Sequence, residues 1–341
     1  MTVLVSGAAG HLGEALMRCL PEAGFEVRGL DVKPGPFVDV VGSVADGDVV
    51  QGAMRGVNAV LHAATLHKPH VGSHPRRAFV ETNISGTLTL LEEAVRTGVE
   101  RFVFTSTTSA FGRALKPADG EPAAWITEDV VPRPRNIYGA TKIAAEDLCE
   151  LVHRDHGLPV IVLRTSRFFP EGDDDDARRG AFDDTNLKVL ELLYRRADLE
   201  DVATAHIHAL QRAPQLGFGR YIVSATTPFE RSDTAQLRTD AAAVIARRTD
   251  PRAAEVFAAR GWSMPSDIER VYANERARTD LGWEPRYTFD AAIAALAAGR
   301  DPRSELALTV GAKGYHDQPT GVYTARASAS ASPADGEARL A

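Results

Sequence analysis

Cysteine is scarce: Cys19 and Cys149 are the only two in 341 residues. Two thiols do not make a disulfide framework, which fits a reducing, cytoplasmic setting. Cys19 lies among apolar helix residues and reads as a small core filler. No apolar run approaches the ~18 residues that a membrane span requires, so no membrane association is expected. The chain enters a strand-like run, Thr2-Val3-Leu4-Val5, with no basic region before it, which predicts no secretory leader. Positive charge is not in excess: 39 Lys and Arg against 46 Asp and Glu give a net charge of −7. Nucleic-acid binding needs a cationic footprint, and this balance argues against it. What is present is ordinary globular composition, 44% apolar and 25% charged. That excludes disordered, collagen-like and coiled-coil chains. At roughly 150 residues per domain the length suits two lobes or one large α/β unit.

The first half alternates strand and helix signals. Strands are expected at Thr2–Ser6, Glu26–Leu30, Phe37–Val41, Asn58–His62, Arg101–Thr105 and Pro159–Leu163. Between them come a helix at His11–Leu20 stopped by Pro21, one at Thr87–Arg96 stopped by Gly98, and a long one at Tyr138–His156 ending at Gly157. Such alternation implies βαβ units and a parallel sheet. The fold class expected is α/β, a Rossmann-type doubly wound sheet. The second half reads as mainly helical, with Leu187–Arg195, Leu199–Gln211 and Asp290–Ala298, a strand at Arg220–Ser224, and an acidic, solvated loop at Asp173–Asp176. The division expected is a dinucleotide-binding domain over 1–165, a small substrate lobe over 166–324 with segments returning to the first domain, and a disordered tail over 325–341 whose Ala, Ser, Pro and Gly cannot offset their ordering entropy.

Three clusters carry chemistry. Gly7-Ala8-Ala9-Gly10-His11-Leu12-Gly13 joins the first strand to the first helix, where backbone can approach a pyrophosphate and free N–H groups can bind it. The spacing is Gly-x-x-Gly-x-x-Gly, which also suits a plain tight turn. Asp31 follows the second strand, placed to accept hydrogen bonds from ribose hydroxyls and to repel a 2′-phosphate. This favours NAD over NADP, with Arg28 and Lys33 close by, and a loop-capping role is the other reading. Tyr138 and Lys142 are one helical turn apart. A close ammonium would lower the phenol's pKa and make it a base for an alcohol proton. Such a pair arises by chance in roughly half of chains this long, so it needs company. Thr105-Ser106-Thr107-Thr108-Ser109 provides it, at the C-terminal end of a parallel strand where such sheets bind ligands.

Together these motifs, with His62-Ala63-Ala64, Asn83-Ile84-Ser85-Gly86-Thr87, Phe111-Gly112, Asp201-Val202-Ala203 and Leu281-Gly282-Trp283-Glu284-Pro285, resemble the extended short-chain dehydrogenase/reductase (NAD-dependent epimerase/dehydratase) family over roughly residues 1–300. The resemblance implies Thr107, Tyr138 and Lys142 as the catalytic trio and NAD as the cofactor. It implies that Gly7, Gly10, His11, Leu12, Gly13, Asp31, Ser43, Val44, Ala63, Ala64, Thr65 and Thr105 bind that cofactor, with Tyr138 and Lys142 contributing. Substrate contacts are expected from His67, Thr107, Thr108 and Arg167, and a homodimer through the helices at Thr87–Arg96 and Tyr138–His156.

The departures matter as much. Thr108 and Ser109 stand where family dehydratases carry an Asp-Glu pair, which argues against dehydration. Arg167 stands near the place of an Asn usual in nucleotide-sugar enzymes, and the segment from Arg167 to Asp201 is short. Phe169-Pro170-Glu171 and the compact second lobe look somewhat like uronate dehydrogenases. Arg167, or Arg164, then pairs with a substrate carboxylate or phosphate, unless tied to Glu171 or the acidic loop. The expected activity is an NAD-dependent dehydrogenase on a sugar-like or sugar-acid alcohol. A nucleotide-sugar epimerase comes second and a non-catalytic NAD-sensing regulator third. His62, His67, His70 and His74 cluster in sequence, but their setting argues for loop and substrate roles rather than a metal. Of His206 and His208, on opposite sides of one helix, at least one is expected to be a packing residue.

Overall fold

The computed structural model describes residues 1–173 and 176–313. The expected tail over 325–341 lies outside the described residues. Among the described residues, seven strands form one parallel sheet: β1 (Thr2–Ser6), β2 (Glu26–Asp31), β3 (Val40–Val41), β4 (Ala59–His62), β5 (Arg101–Thr107), β7 (Val160–Thr165) and β8 (Phe218–Val223). Their order, β3-β2-β1-β4-β5-β7-β8, reverses direction between β1 and β4. In open α/β sheets that switch point is where the ligand crevice forms.

The two-residue period of each strand divides the core. Val3, Val5, Leu61, Val103, Ile161 and Leu163 face one layer, with helices α1 (His11–Glu22) and α8 (Leu199–Leu216). Leu4, Val60, Phe102, Phe104, Val160 and Val162 face the other, with α2 (Gly47–Ala53), α4 (Gly86–Thr97) and α5 (Ile137–His156). Both faces are covered, so the strands read as continuous apolar runs. Gly98 and Gly157 close α4 and α5 at φ 72° and 71°, the left-handed stop for which both were read.

Three local expectations need correction. Helix α1 runs through Pro21 to Glu22, because a proline in the last turn forfeits only one hydrogen bond. The third strand is Val40–Val41 alone; Phe37 and Val38 pack against the α1 layer instead. Of the expected acidic loop at Asp173–Asp176, Asp173 is not solvated: it is 3% exposed and ion-paired, while 174 and 175 lie outside the described residues. Cys19 is partly buried against the α1 layer and Cys149 fully buried against the α5 layer.

A second apolar cluster gathers α7 (Asp184–Glu191), which follows α6 (Asp176–Ala181), with helices at Ala241–Arg248, Arg252–Arg260 and Phe289–Ala297. Beside it, β6 (Ala124–Ile126) pairs in parallel with β9 (Arg270–Tyr272), which neither segment's length announced. A short helix, α3 (Arg76–Phe79), and a wider π-helical turn, Val80–Ser85, lead into α4.

Candidate active site

The glycine loop is built as tightly as its spacing requires. Gly7 sits at φ 80°, and a Cβ there would lie 2.7 Å from the Ala64 nitrogen. A Cβ on Gly13 would lie 1.9 Å from the Gly7 carbonyl oxygen. Gly10 caps α1 without a side chain, so the amides that open this 12-residue helix keep their positive end free. These features fit a pyrophosphate cradle. The cleft in front has a volume of about 320 Å³. Gly7, Gly10, His11, Leu12 and Gly13 line it, as do Asp31, Ser43, Val44, Ala63, Ala64, Thr65, Thr105 and Tyr138. The structure thus brings together every residue expected at the cofactor except Lys142.

Asp31 does two things at once. Its Oδ2 accepts from the Ala9 amide at 3.0 Å and its Oδ1 from the Lys33 amide at 2.9 Å. The carboxylate therefore caps both loops while still facing the cleft.

Behind the wall lies a hydrogen-bonded frame that sequence reading did not find. Thr87 donates to the Asn83 carbonyl at 2.7 Å, so its oxygen accepts from His62 Nε2 at 2.9 Å, and His62 Nδ1 accepts from Ser6 at 2.7 Å. Burial holds His62 neutral, well below its ordinary pKa, helped by the charge of Lys142. Asn83 accepts from Thr65 and from the Leu66 amide, each at 2.9 Å, and donates to Thr141 at 3.0 Å, fixing the loop after β4 to α5. His206 is fully buried. Its Nδ1 donates to the Val202 carbonyl at 2.7 Å, leaving Nε2 to accept from Thr105 at 2.8 Å. This histidine is a packing residue that also orients a cleft hydroxyl. Its signal in the sequence was only its position on a helix.

Tyr138 stands where two cavities meet. It lines the glycine-loop cleft and also a second cavity of about 200 Å³. His67, Phe168 and Phe169 line both as well, and Thr107, Thr108 and Arg167 line the second. The four expected substrate contacts therefore line one cavity. Thr107 sits against the phenol. Electrostatically the pair departs from expectation. Burial pushes the Tyr138 phenol up to about 12, against the pull of Thr107. Burial also drags Lys142 down to about 7, against Glu146 and Cys149. Lys142 is 1% exposed, with Nζ 4.0 Å from the centroid of the Phe104 ring. Desolvation is the largest influence on both groups.

Arg164 lines neither cavity. It is 3% exposed and forms a two-pronged pair with Glu146, whose Oε1 also accepts from Ser106 at 2.5 Å. Arg167 takes the acidic-loop alternative, donating to Asp173 at 3.0 Å while remaining on the cavity wall. Arg195 donates to the same Asp173 oxygen and to Glu191, which also pairs with Arg196 at 2.8 Å. Burial alone would raise the Glu191 carboxyl; Arg195 and Arg196 hold it well below the carboxylate range. Arg195, Arg270 and Arg135 line the second cavity and were missed, because only tertiary contact places them there. Among the described residues no helix is long and apolar enough to cross a membrane.

Comparison with known proteins matches this geometry. A model of the NAD dependent epimerase/dehydratase family covers residues 3–221. An NAD-dependent glucose-6-phosphate dehydrogenase from Haloferax volcanii is 33% identical over 179 residues, 48% of this chain and 66% of that one. A 3-beta-hydroxysteroid dehydrogenase from Mycolicibacterium neoaurum is 25% identical over 334 residues, 86% of this chain and 89% of that one. The chain spans only 40% of the length of another curated relative, from Sinorhizobium fredii. A short-chain dehydrogenase/reductase superfamily protein from Agrobacterium tumefaciens, solved with bound NAD, superposes with a TM-score of 0.61 at 25% identity, covering 87% of this chain and 96% of that one. The matched region holds the glycine loop, Asp31, the Thr107 strand end and the Tyr138–Lys142 turn, and the chain belongs to the NAD-dependent epimerase/dehydratase family.

Proposed function

We propose that the protein is an NAD-dependent oxidoreductase that removes hydride from a secondary alcohol of a sugar-like or sugar-acid substrate. The observation that carries this reading is Tyr138, whose side chain borders both the glycine-loop cleft and the second cavity, with Thr107 beside it. Bound in the first cleft, NAD supplies the hydride acceptor. The amides opening α1 and the Gly7–Gly13 loop hold its pyrophosphate, Asp31 its adenosine ribose, Ser43 and Val44 its adenine, and Ala63, Ala64 and Thr65 its nicotinamide side. Lys142 holds ribose hydroxyls.

Thr107 orients the substrate hydroxyl and Tyr138 takes its proton as the carbinol carbon loses hydride. With its phenol at about 12, Tyr138 keeps its proton at neutral pH. That state suits donation to a carbonyl, and the phenolate fraction that can take an alcohol proton grows as pH rises, so oxidation gains with pH. His67 and Thr108 border the substrate.

The test is turnover with NAD and candidate alcohols, read as NADH absorbance. Net NADH supports a dehydrogenase. Altered substrate with no net NADH supports the epimerase reading, which uses the same trio. Tyr138→Phe is expected to cut turnover by about 10²–10⁴-fold with NAD affinity retained; undiminished turnover overturns the role. A homodimer through α4 and α5 belongs to the same reading, since Leu151 on α5 and Val80 in the turn before α4 are exposed, and the mass in solution checks it.

A further inference from the structure

The second cavity is electrically one-sided. Lys68, Arg135, Arg167, Arg195 and Arg270 line it, and no carboxylate does among the described residues. Arg167 is neutralised from behind by Asp173, and Arg195 by Asp173 and Glu191. Arg270, at the start of β9, is not. Its Nη1 reaches the Leu115 carbonyl at 3.4 Å, its Nε is buried without a hydrogen bond, and it has no carboxylate partner among the described residues. Arg195 and Arg178 are its charged neighbours and add repulsion. Arg135, just before α5, is exposed and has no ion pair among the described residues.

Burying a guanidinium beside other cations is costly unless a counter-charge arrives. Arg270 and Arg135 line the second cavity but not the cleft, whereas Tyr138 lines both. A counter-charge at Arg270 therefore belongs to the part of a ligand that lies away from the cleft. A planar guanidinium fork matches the oxygens of a carboxylate or a phosphate, and a neutral hydrocarbon or sugar offers it nothing comparable.

We propose that Arg270, together with Arg135 on the same cavity, binds one anionic group, carboxylate or phosphate, on the part of the substrate remote from the reacting carbon. This rests on the reading of the second cavity as the substrate site. The anion does not react. It fixes the orientation of the substrate, so that one hydroxyl meets Tyr138 and Thr107.

The test is calorimetric binding of glucuronate, glucose 6-phosphate and glucose to the full chain loaded with NADH. One of the two anions is expected to bind at least ~10-fold tighter than glucose, consistent with one charge-assisted contact. Preference for glucuronate identifies a carboxylate and preference for glucose 6-phosphate a phosphate. Arg270→Met is expected to remove that preference and Arg270→Lys to keep part of it, with NADH affinity unchanged as the check on folding. Arg135→Gln, at an exposed position, is expected to weaken the anion by about threefold and decides the matter if Arg270→Met does not fold. Equal affinity for all three ligands overturns the proposal, as does an anion preference that Arg270→Met, or in its absence Arg135→Gln, leaves intact. Binding does not need turnover, so absence of NADH formation removes the dehydrogenase reading without touching this result.

Discussion

Replacing Lys142 by methionine removes an ammonium from a site that disfavours it. Burial lowers this group from 10.5 to about 7. Between those values the unfolded chain carries a proton that the folded chain has lost, so stability rises with pH across the window. Below about pH 7 the cost of the buried charge is fully present. At ~1.36 kcal/mol per pH unit, that cost is about 4 kcal/mol near pH 7 and about 2 kcal/mol near pH 9. Other groups oppose this at higher pH. Burial raises the Cys149 thiol and the Tyr138 phenol, and both stay protonated while their unfolded counterparts ionise, so stability falls there. The difference between wild type and Lys142→Met isolates the lysine. Urea unfolding of the cofactor-free protein at several pH values measures it. Lys142→Met is expected to be the more stable near neutrality, by a margin that shrinks by about 2 kcal/mol over the next two pH units. A difference that does not change with pH would refute the assignment of a desolvated, easily neutralised amine.

Three further outcomes follow from the geometry. Gly13→Ala places a methyl 1.9 Å from the Gly7 carbonyl oxygen, so the loop must open; NAD affinity measured by fluorescence should fall at least about tenfold, and an unchanged affinity would show that the loop yields without cost. Asp31→Ala removes the carboxylate that would face a 2′-phosphate, and the kcat/KM ratio for NADP over NAD should rise by about tenfold or more; a ratio that stays put would assign Asp31 to loop capping alone. Glu146→Gln strands the buried Arg164 guanidinium and should cost about 3–5 kcal/mol in urea unfolding, whereas a loss under about 1 kcal/mol would mean that Arg164 finds another partner.

The sheet and its first crevice were legible because their signals are local. Apolar runs of strand length, glycines at turns and stops, and a 20-residue amphipathic helix each announce themselves within a short window. The residues expected at the cofactor, Lys142 apart, share one cleft, since many of them sit at strand ends and strand ends share an edge. What sequence could not give was long-range pairing and desolvation. Arg270 faces the second cavity only because β9 docks beside β6, bringing Arg270 opposite Ala124. Asp173 looked like one more solvated acid until Arg167 and Arg195 closed on it. The Tyr138–Lys142 spacing predicts an acidic phenol, but burial of both groups raises the phenol instead and lowers the amine to about 7. Spacing reports proximity; it does not report how much water remains.

The pairing of β6 with β9 also bears on how the chain can be divided. One of its strands comes from the stretch between β5 and α5, the other from far along the helical half. Trp125 and Ala123 pack into the helical cluster from that same early stretch. A fragment starting after β7 would leave β9 with a bare hydrogen-bonding edge and the cluster with two missing plugs. Cutting the gene at the apparent midpoint is therefore expected to yield a sticky, half-filled fragment rather than an independently folding unit, and swaps between relatives should exchange both stretches together.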